Sequence, residues 1–286
     1  MPHWLPTWQQ SLGAAVVLAV TGVLLRRGSV ERRGRLAAAV AGEFGVILGL
    51  YALWQLAGSL AVGSTAAGLR RGEEVWSLER VLHLPLETSV QALALPHPDL
   101  VRAMNAYYVY AHYNTLLLTL LWLFVRHRDR YPAARATLAL ATFASLALQL
   151  IAVAPPRLLG DYHIVDTALR YGQSVYGPAT TTGISDQYSA MPSVHVVWAS
   201  LVAVLVWKSA PPRWCWLGPA HAVLTTFVVV ATGNHYWLDA AAGIGVLALA
   251  LVVVGAAGRW RGRRRPPHPS REGEPERLPL LQTNAS

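Results

Sequence analysis

Cysteine is all but absent from this chain. Cys215 is the single one, set between Trp214 and Trp216 in a short basic connection. An internal disulfide is thereby excluded, and the thiol reads as inert. Charge is scarce as well: only 14% of the 286 residues are Asp, Glu, Lys or Arg, against about 25% in an ordinary soluble domain. Ala, Val and Leu in long blocks fill the deficit, raising the hydrophobic share to 53% and the mean hydropathy to +0.34. That is the composition of a polytopic membrane protein. Acidic residues are the scarcer sign, 15 against 24 basic ones, for a formal net charge of +9. In a soluble protein this excess would point to nucleic acid. Here the arginines stand at the ends of apolar blocks, so membrane orientation accounts for them and no nucleic-acid partner is expected. No Cys/His cluster with metal-ligand spacing is evident, and no internal repeat. Neither a metal nor another cofactor is expected.

The apolar blocks predict about seven membrane-spanning helices, an all-α polytopic bundle. The first runs over 12–25, behind a lead carrying Trp4 and Trp8 that suits an interfacial belt, and is followed at once by Arg26 and Arg27. A secretory signal carries its charge before the apolar core, so this block reads as a retained span. Further spans are expected over 36–62, 105–125, 136–153, 191–207, 217–232 and 236–257. Within the second span, Glu43 fits a headgroup position as well as an inward-facing functional one. The third is headed by Asn105, Tyr107, Tyr108, Tyr110, His112, Tyr113 and Asn114. A belt explains the tyrosines, but His112 and Asn114 lie a turn deeper. Between the spans, Val75–Leu86 predicts a short amphipathic helix ending before Pro85, and Pro96-His-Pro98 a break. Pro192 suits the first turn of the fifth span. The Arg-, Pro- and Glu-rich tail from Gly258 predicts disorder.

Charge then orients the bundle. The basic connections 26–35, 126–135 and 208–213 and the segment 259–265 all fall on one side when the spans alternate. The polar connections 63–105 and 154–190 and the turn 233–235 fall on the other. By the positive-inside rule the basic side is cytoplasmic. The amino terminus is then outside and the carboxyl terminus cytoplasmic, in an integral protein of the plasma membrane.

Two stretches share the outer face. Ser189-Ala-Met-Pro-Ser-Val-His195 opens the fifth span, and Gly233-Asn-His-Tyr-Trp-Leu-Asp239 opens the seventh. A lone histidine at a helix end is ordinarily structural. Here His195 and His235 converge, and Asp239 lies one helical turn beyond His235. A carboxylate at that spacing accepts one imidazole N–H and leaves the other nitrogen a better nucleophile. A second histidine can then protonate a leaving group. Arg157, Ser193 and the backbone N–H groups opening the fifth span offer donors to a phosphate.

These residues carry a resemblance. Ala-Met-Pro-Ser-Val-His195 and His235-Tyr-Trp-Leu-Asp239 resemble the second and third signature motifs of the type 2 phosphatidic acid phosphatase superfamily, in the forms of its inositol phosphorylceramide synthase-like (inositolphosphotransferase) branch. Ala154-Pro-Pro-Arg157, Asp186-Gln-Tyr188 and the pair Tyr108 and His112 support it. The resemblance covers roughly 36–257 and implies a six-helix phosphatase-type core with one extra N-terminal span. The corresponding division is a span and basic connection over 1–35, a phosphatase or phosphotransferase domain over 36–257 and a disordered cytoplasmic tail over 258–286. It implies His235 as nucleophile, Asp239 as its orienting carboxylate, His195 as general acid, and Ser193, Arg157, His112 and Tyr108 as substrate-binding residues. The phosphatase branch has Lys-x6-Arg-Pro in its first motif and Ser-Arg six to seven residues before the histidine of its third. Here Arg157 is preceded seven residues earlier by Leu150 and followed by Leu158, and the Ser-Arg places hold Val228 and Val229, so phosphate-binding cations are fewer. Phosphate binding is then left to Arg157 with help from His163, Arg170 and His112.

The expected function is a metal-independent lipid-phosphate phosphatase or phosphotransferase, with a phosphohistidine intermediate and a lipid or polyprenyl phosphate as substrate. A head-group transferase of the inositol phosphorylceramide synthase type is the alternative within the class. From another class, a non-enzymatic transporter or lipid-binding protein would use Glu43, His112 and His221 as its pathway. Oligomeric state is open.

Overall fold

Uninterrupted runs of Ala, Leu and Val, free of internal proline, satisfy their own backbone hydrogen bonds only as helices in an apolar medium. The computed structural model describes residues 6–28, 31–60, 65–173 and 187–263, and its described part is built of helices. They are α1 (Trp8–Gly28), α2 (Arg32–Leu60), α3 (Thr65–Val81), α4 (Glu87–Ala94), α5 (Pro98–Arg126), α6 (Tyr131–Leu148), the single turn α7 (Thr167–Arg170), α8 (Val194–Ser209), α9 (Leu217–Ala231) and α10 (Trp237–Arg263). Helices α1, α2, α5, α6, α8, α9 and α10 coincide with the seven apolar blocks. Four of them contain segments long and apolar enough to cross a membrane: Trp8–Gly28, Arg32–Leu53, Pro98–Arg126 and Trp237–Trp260. Val194–Ser209 and Leu217–Ala231 are apolar but shorter. The protein is an all-α membrane helix bundle.

Helix α8 is its axis. Apolar all round, it buries Val196, Val197, Ala199, Leu201 and Val202 and is packed by α5, α6, α9 and α10. A helix apolar on every side belongs in a core. Small residues set the closest approaches. A Cβ on Gly218 of α9 would stand 2.9 Å from Ala203 Cα, and one on Gly243 of α10 would stand 2.9 Å from Ser193 O. The α1–α2 hairpin is zipped in the same way, with the Cβ positions of Gly22 and Gly45 3.1 and 3.2 Å from the carbonyls of Ala38 and Ala15. Outside the hairpin, Val16, Val17, Val20 and Leu24 are exposed, as lipid-facing side chains are. Its tie to the bundle is polar: Glu43 accepts from Tyr131 Oη at 2.8 Å and from the Arg135 guanidinium. The open question about Glu43 is answered by a partner, and its role is to clamp α2 to α6.

Several boundaries differ from expectation. Pro96-His-Pro98 is not the end of order. Pro98 takes the first turn of α5, where a missing N–H costs nothing, so the third span begins at Pro98 rather than 105. Pro192 is not in a helical turn, and its bond to Met191 is cis. The extended backbone and hydroxyl of Ser193 make it the N-cap, accepting from Val196 N–H, as serine does. The fourth span stops at Leu148. Val153 instead forms an isolated parallel bridge with Ser189. The amphipathic stretch Val75–Leu86 holds only the end of a longer helix, α3, and a second helix, α4, starts just after it. α3 begins ten residues earlier, and its end is marked by His83 at φ 55°, after which Pro85 disfavours a helical residue before it. Asn114 donates to Tyr110 O on its own helix. Helix α10 runs six residues into the expected tail. The rest of that tail, with Trp4 and Asp186, lies outside the described residues.

The glycine contacts are testable by thermal unfolding in detergent. Gly218→Ala, which must displace backbone, is expected to cost about 1–3 kcal/mol. Gly245→Ala, whose Cβ meets nothing within 4 Å, is expected to leave the melting temperature unchanged or slightly raised. Equal losses in both would count against the packing described.

Candidate active site

The site is made where three chain segments meet at one end of α8. The bridge between Val153 and Ser189 is closed by Val153 N–H to Tyr188 O at 2.7 Å and Ala190 N–H to Val153 O at 3.2 Å. It sets the Ala190 carbonyl against the turn that precedes α10. Ser193 N–H in turn donates to Asp239 O at 3.1 Å, tying the start of α8 to the start of α10. Gly233, at φ 73°, makes the turn between α9 and α10. Its carbonyl accepts from Arg157 N–H at 2.9 Å, so the connection after α6 is fastened to the same turn.

His235 emerges from this turn nearly buried, 5% exposed. Its Nδ1 lies 2.8 Å from Ala190 O and 3.2 Å from Asp239 Oδ2. A carbonyl oxygen only accepts, so Nδ1 carries the proton and Nε2 keeps its lone pair. Asp239 is fully buried. Its Oδ2 also accepts from Tyr236 N–H at 2.9 Å, the half of a capping box in which a carboxylate in the first turn reaches back to the residue before the helix. The i+4 spacing seen in the sequence therefore performs two tasks, holding the imidazole and capping α10.

His195, in the first turn of α8, packs its ring against three others. Tyr108 stacks on it at 4.3 Å between centroids, His112 stands at 4.2 Å and His235 at 5.5 Å. Tyr108 and His112 share one face of α5 at i+4, so the four rings form a continuous row. Trp198 closes it, 5.9 Å from His112.

A small pocket opens beside the row, lined by Asn105, Tyr108, Val109, Arg157, Asp166, Ala168, Gln173 and Asn234. Arg157 is nearly buried there, its Nε 3.3 Å from Asp166 Oδ2. It is the cation nearest the turn, but its charge is shared with a carboxylate. His163 and Arg170 are not among the lining residues. Arg170 lies over the ring of Tyr171 instead. Ser193 is fully buried with its hydroxyl committed to its own helix. Among the described residues no group of three or more His, Cys, Asp and Glu side chains is arranged to hold a metal ion.

Other members of the site had no signal in the sequence. The Ala190 carbonyl is backbone and carries none. Gln91 of α4 accepts from Val165 N–H at 2.8 Å and donates to the carbonyls of Val165 and Ala231, locking the connection after α6 onto the end of α9. Glu79 lies within the stretch expected to be amphipathic and Glu87 just beyond it, and both are fully buried.

A family model described as the PAP2 superfamily matches residues 73–253, leaving α1 and α2 outside the matched region. No curated protein and no solved structure matches the chain.

The tautomer is open to direct measurement. Nitrogen-15 NMR of histidine-labelled protein at neutral pH is expected to show His235 protonated at Nδ1 and bare at Nε2. Asp239→Ala is expected to weaken the Nδ1–H signal without reversing the tautomer, since the shorter bond to Ala190 O survives. A protonated Nε2 in the unmodified protein would refute the geometry.

Proposed function

Since the chain belongs to the PAP2 superfamily, we propose that it is a membrane lipid-phosphate phosphatase or phosphotransferase whose nucleophile is His235. The observation that carries this reading is the double acceptance of His235 Nδ1–H by Ala190 O and Asp239 Oδ2, which leaves Nε2 free beside His195. In the first step Nε2 attacks phosphorus and the bond to the leaving oxygen breaks. His195, as imidazolium, gives that oxygen its proton. In the second, water or an alcohol gives its proton to His195 and attacks phosphorus, and His235 leaves as the neutral imidazole. Asp239 stabilises the imidazolium character that His235 gains in each transition state. Arg157, Ser193, His112 and Tyr108 are assigned to substrate binding, with Arg157 the counter-charge for phosphate. No step requires a metal. With water the enzyme is a phosphatase, and with a lipid or polyol hydroxyl a transferase of the inositol phosphorylceramide synthase kind.

The site is assigned to the extracytoplasmic face of the plasma membrane, with 36–257 as the catalytic domain, 1–35 before it and the tail behind. One feature supports that orientation and a second its depth. The basic connections 126–135 and 208–213 meet at the far end of the bundle, where Arg130 donates to Lys208 O and Ser209 Oγ. In addition, the 16 residues of α8 span roughly 24 Å, less than the about 30 Å of hydrocarbon. A site at its amino end lies slightly below the headgroups, within reach of a lipid phosphate. Two of the three residues of the transporter reading are committed to helix contacts. Glu43 sits at the contact of α2 with α6, and His221 Nδ1 is 2.7 Å from Tyr107 Oη between α5 and α9.

Detergent-purified protein given lipid phosphates, polyprenyl phosphates and phospholipid head-group donors without divalent metal, with and without alcohol acceptors, is expected to release phosphate or transfer a labelled group. Asp239→Asn is expected to lower kcat roughly 10²- to 10⁴-fold, and vanadate to inhibit. Full turnover by His235→Ala would sink the mechanism.

A further inference from the structure

Glu79 and Glu87 sit on α3 and α4, outside the membrane-spanning helices, where carboxylates ordinarily face water. Instead both are fully buried behind the turn that carries His235. Arg80 Nη2 is 3.1 Å from Glu87 Oε2 and 3.5 Å from Glu79 Oε2, and its guanidinium lies over the ring of Trp76. Two buried carboxylates against one guanidinium leave an uncompensated charge unless one of them holds a proton. Burial, and next the hydrogen bond to Glu87, push Glu79 up to about 9, although the Leu238 N–H works against them. Glu79 is thus the neutral member of the pair.

The other oxygen of Glu79 does something the local sequence cannot. Helix α10 is preceded by Tyr236, whose hydroxyl is committed to Ala154 O at 2.8 Å. A helix entered through tyrosine lacks the short side-chain oxygen that normally meets its first free N–H groups. Glu79 Oε1 supplies it from another helix, accepting from Leu238 N–H at 2.7 Å. Leu238 is the residue directly before Asp239. Asp239 itself binds through Oδ2, while its Oδ1 is buried without a hydrogen-bond partner. Its placement therefore depends on where the helix end is held.

We propose that Glu79 is a positioning residue, which by carrying Leu238 N–H in trans fixes the amino end of α10 and with it the Asp239–His235 pair. Its kinetic consequence rests on the phosphohistidine reading above, whereas its effect on the His235 tautomer does not. Glu79 is faced by Arg80 from its own helix, by Glu87 from α4, by Asp239 from α10 and by Tyr236 from the turn before it. Ionisation of Glu79 would set a further negative charge against Glu87 and Asp239. Because its folded value lies above the ordinary 4.5, the folded chain keeps a proton that the unfolded chain releases. Stability therefore falls as pH rises from about 4.5 to about 9, then levels.

Two substitutions test this. Glu79→Gln keeps the bond that matters, its amide oxygen accepting from Leu238 N–H, but it does not titrate. Glu79→Asp keeps the acid and withdraws it by one methylene. Glu79→Asp is expected to lower kcat on the order of 100-fold with little change in KM, and to blur the His235 Nδ1–H nitrogen-15 signal. Glu79→Gln is expected to restore kcat to within a few-fold and the signal fully, and to flatten the slope of melting temperature between about pH 5 and about pH 9. A folded Glu79→Asp protein with unaltered kcat and His235 signals overturns the proposal, and so does a Glu79→Gln protein as impaired as Glu79→Asp. If Glu79→Asp does not fold, the Glu79→Gln slope decides, and an unflattened slope is fatal. If the unmodified protein turns over no lipid phosphate, the phosphoryl-transfer reading fails, while the nitrogen-15 signals and the stability slope still judge Glu79.

Discussion

The amino end of α10 is the constraint on which the rest depends. A helix start leaves unpaired N–H groups, and here two carboxylates of different origin take them. Asp239 bonds Tyr236 N–H from inside the helix, and Glu79 bonds Leu238 N–H from across the bundle. The oxygen of Asp239 that caps the helix also receives His235 Nδ1–H. Capping and activation are therefore one arrangement, and a change that loosens the helix end also releases the imidazole.

Everything around this point keeps it still and dry. Helix α8 enters through a serine cap whose backbone N–H grips Asp239 O, and Gly243 allows the two helix starts to touch. The short Val153–Ser189 bridge delivers the Ala190 carbonyl that decides the His235 tautomer. Tyr108 and His112, fixed by i+4 spacing on α5, pack against the ring of His195. Close packing of this sort transmits strain rather than absorbing it. The peripheral α1–α2 hairpin, joined by its own glycine contacts and by the Glu43–Arg135 pair, lies outside that chain of dependence.

Much of this was legible along the chain, for identifiable reasons. Apolar blocks must become helices in a membrane, so all seven long helices were visible, with ends off by as much as seven residues. His235 and Asp239 are one helical turn apart, and local spacing is information a sequence carries. Where expectation and structure diverged, the deciding interaction was a cap or a long-range contact. Pro98 opened a helix where proline suggested a break, and Ser193, not Pro192, began α8. Arg157 was singled out from its motif, but its pairing with Asp166 depends on how the connection after α6 folds back. His163 and Arg170 are not among the residues that line the pocket.

Composition, charge asymmetry and two histidine motifs determined, by themselves, a helical membrane protein with its chemistry at one end. These are properties of local sequence, since hydrophobic length and i+4 spacing need no partner. Tertiary structure alone decided which nitrogen of His235 is free, because that rests on a backbone carbonyl 45 residues away. It alone brought Glu79 and Glu87 together, buried around Arg80. Burial is a property of what packs over a side chain, and no window of sequence around α3 contains α10.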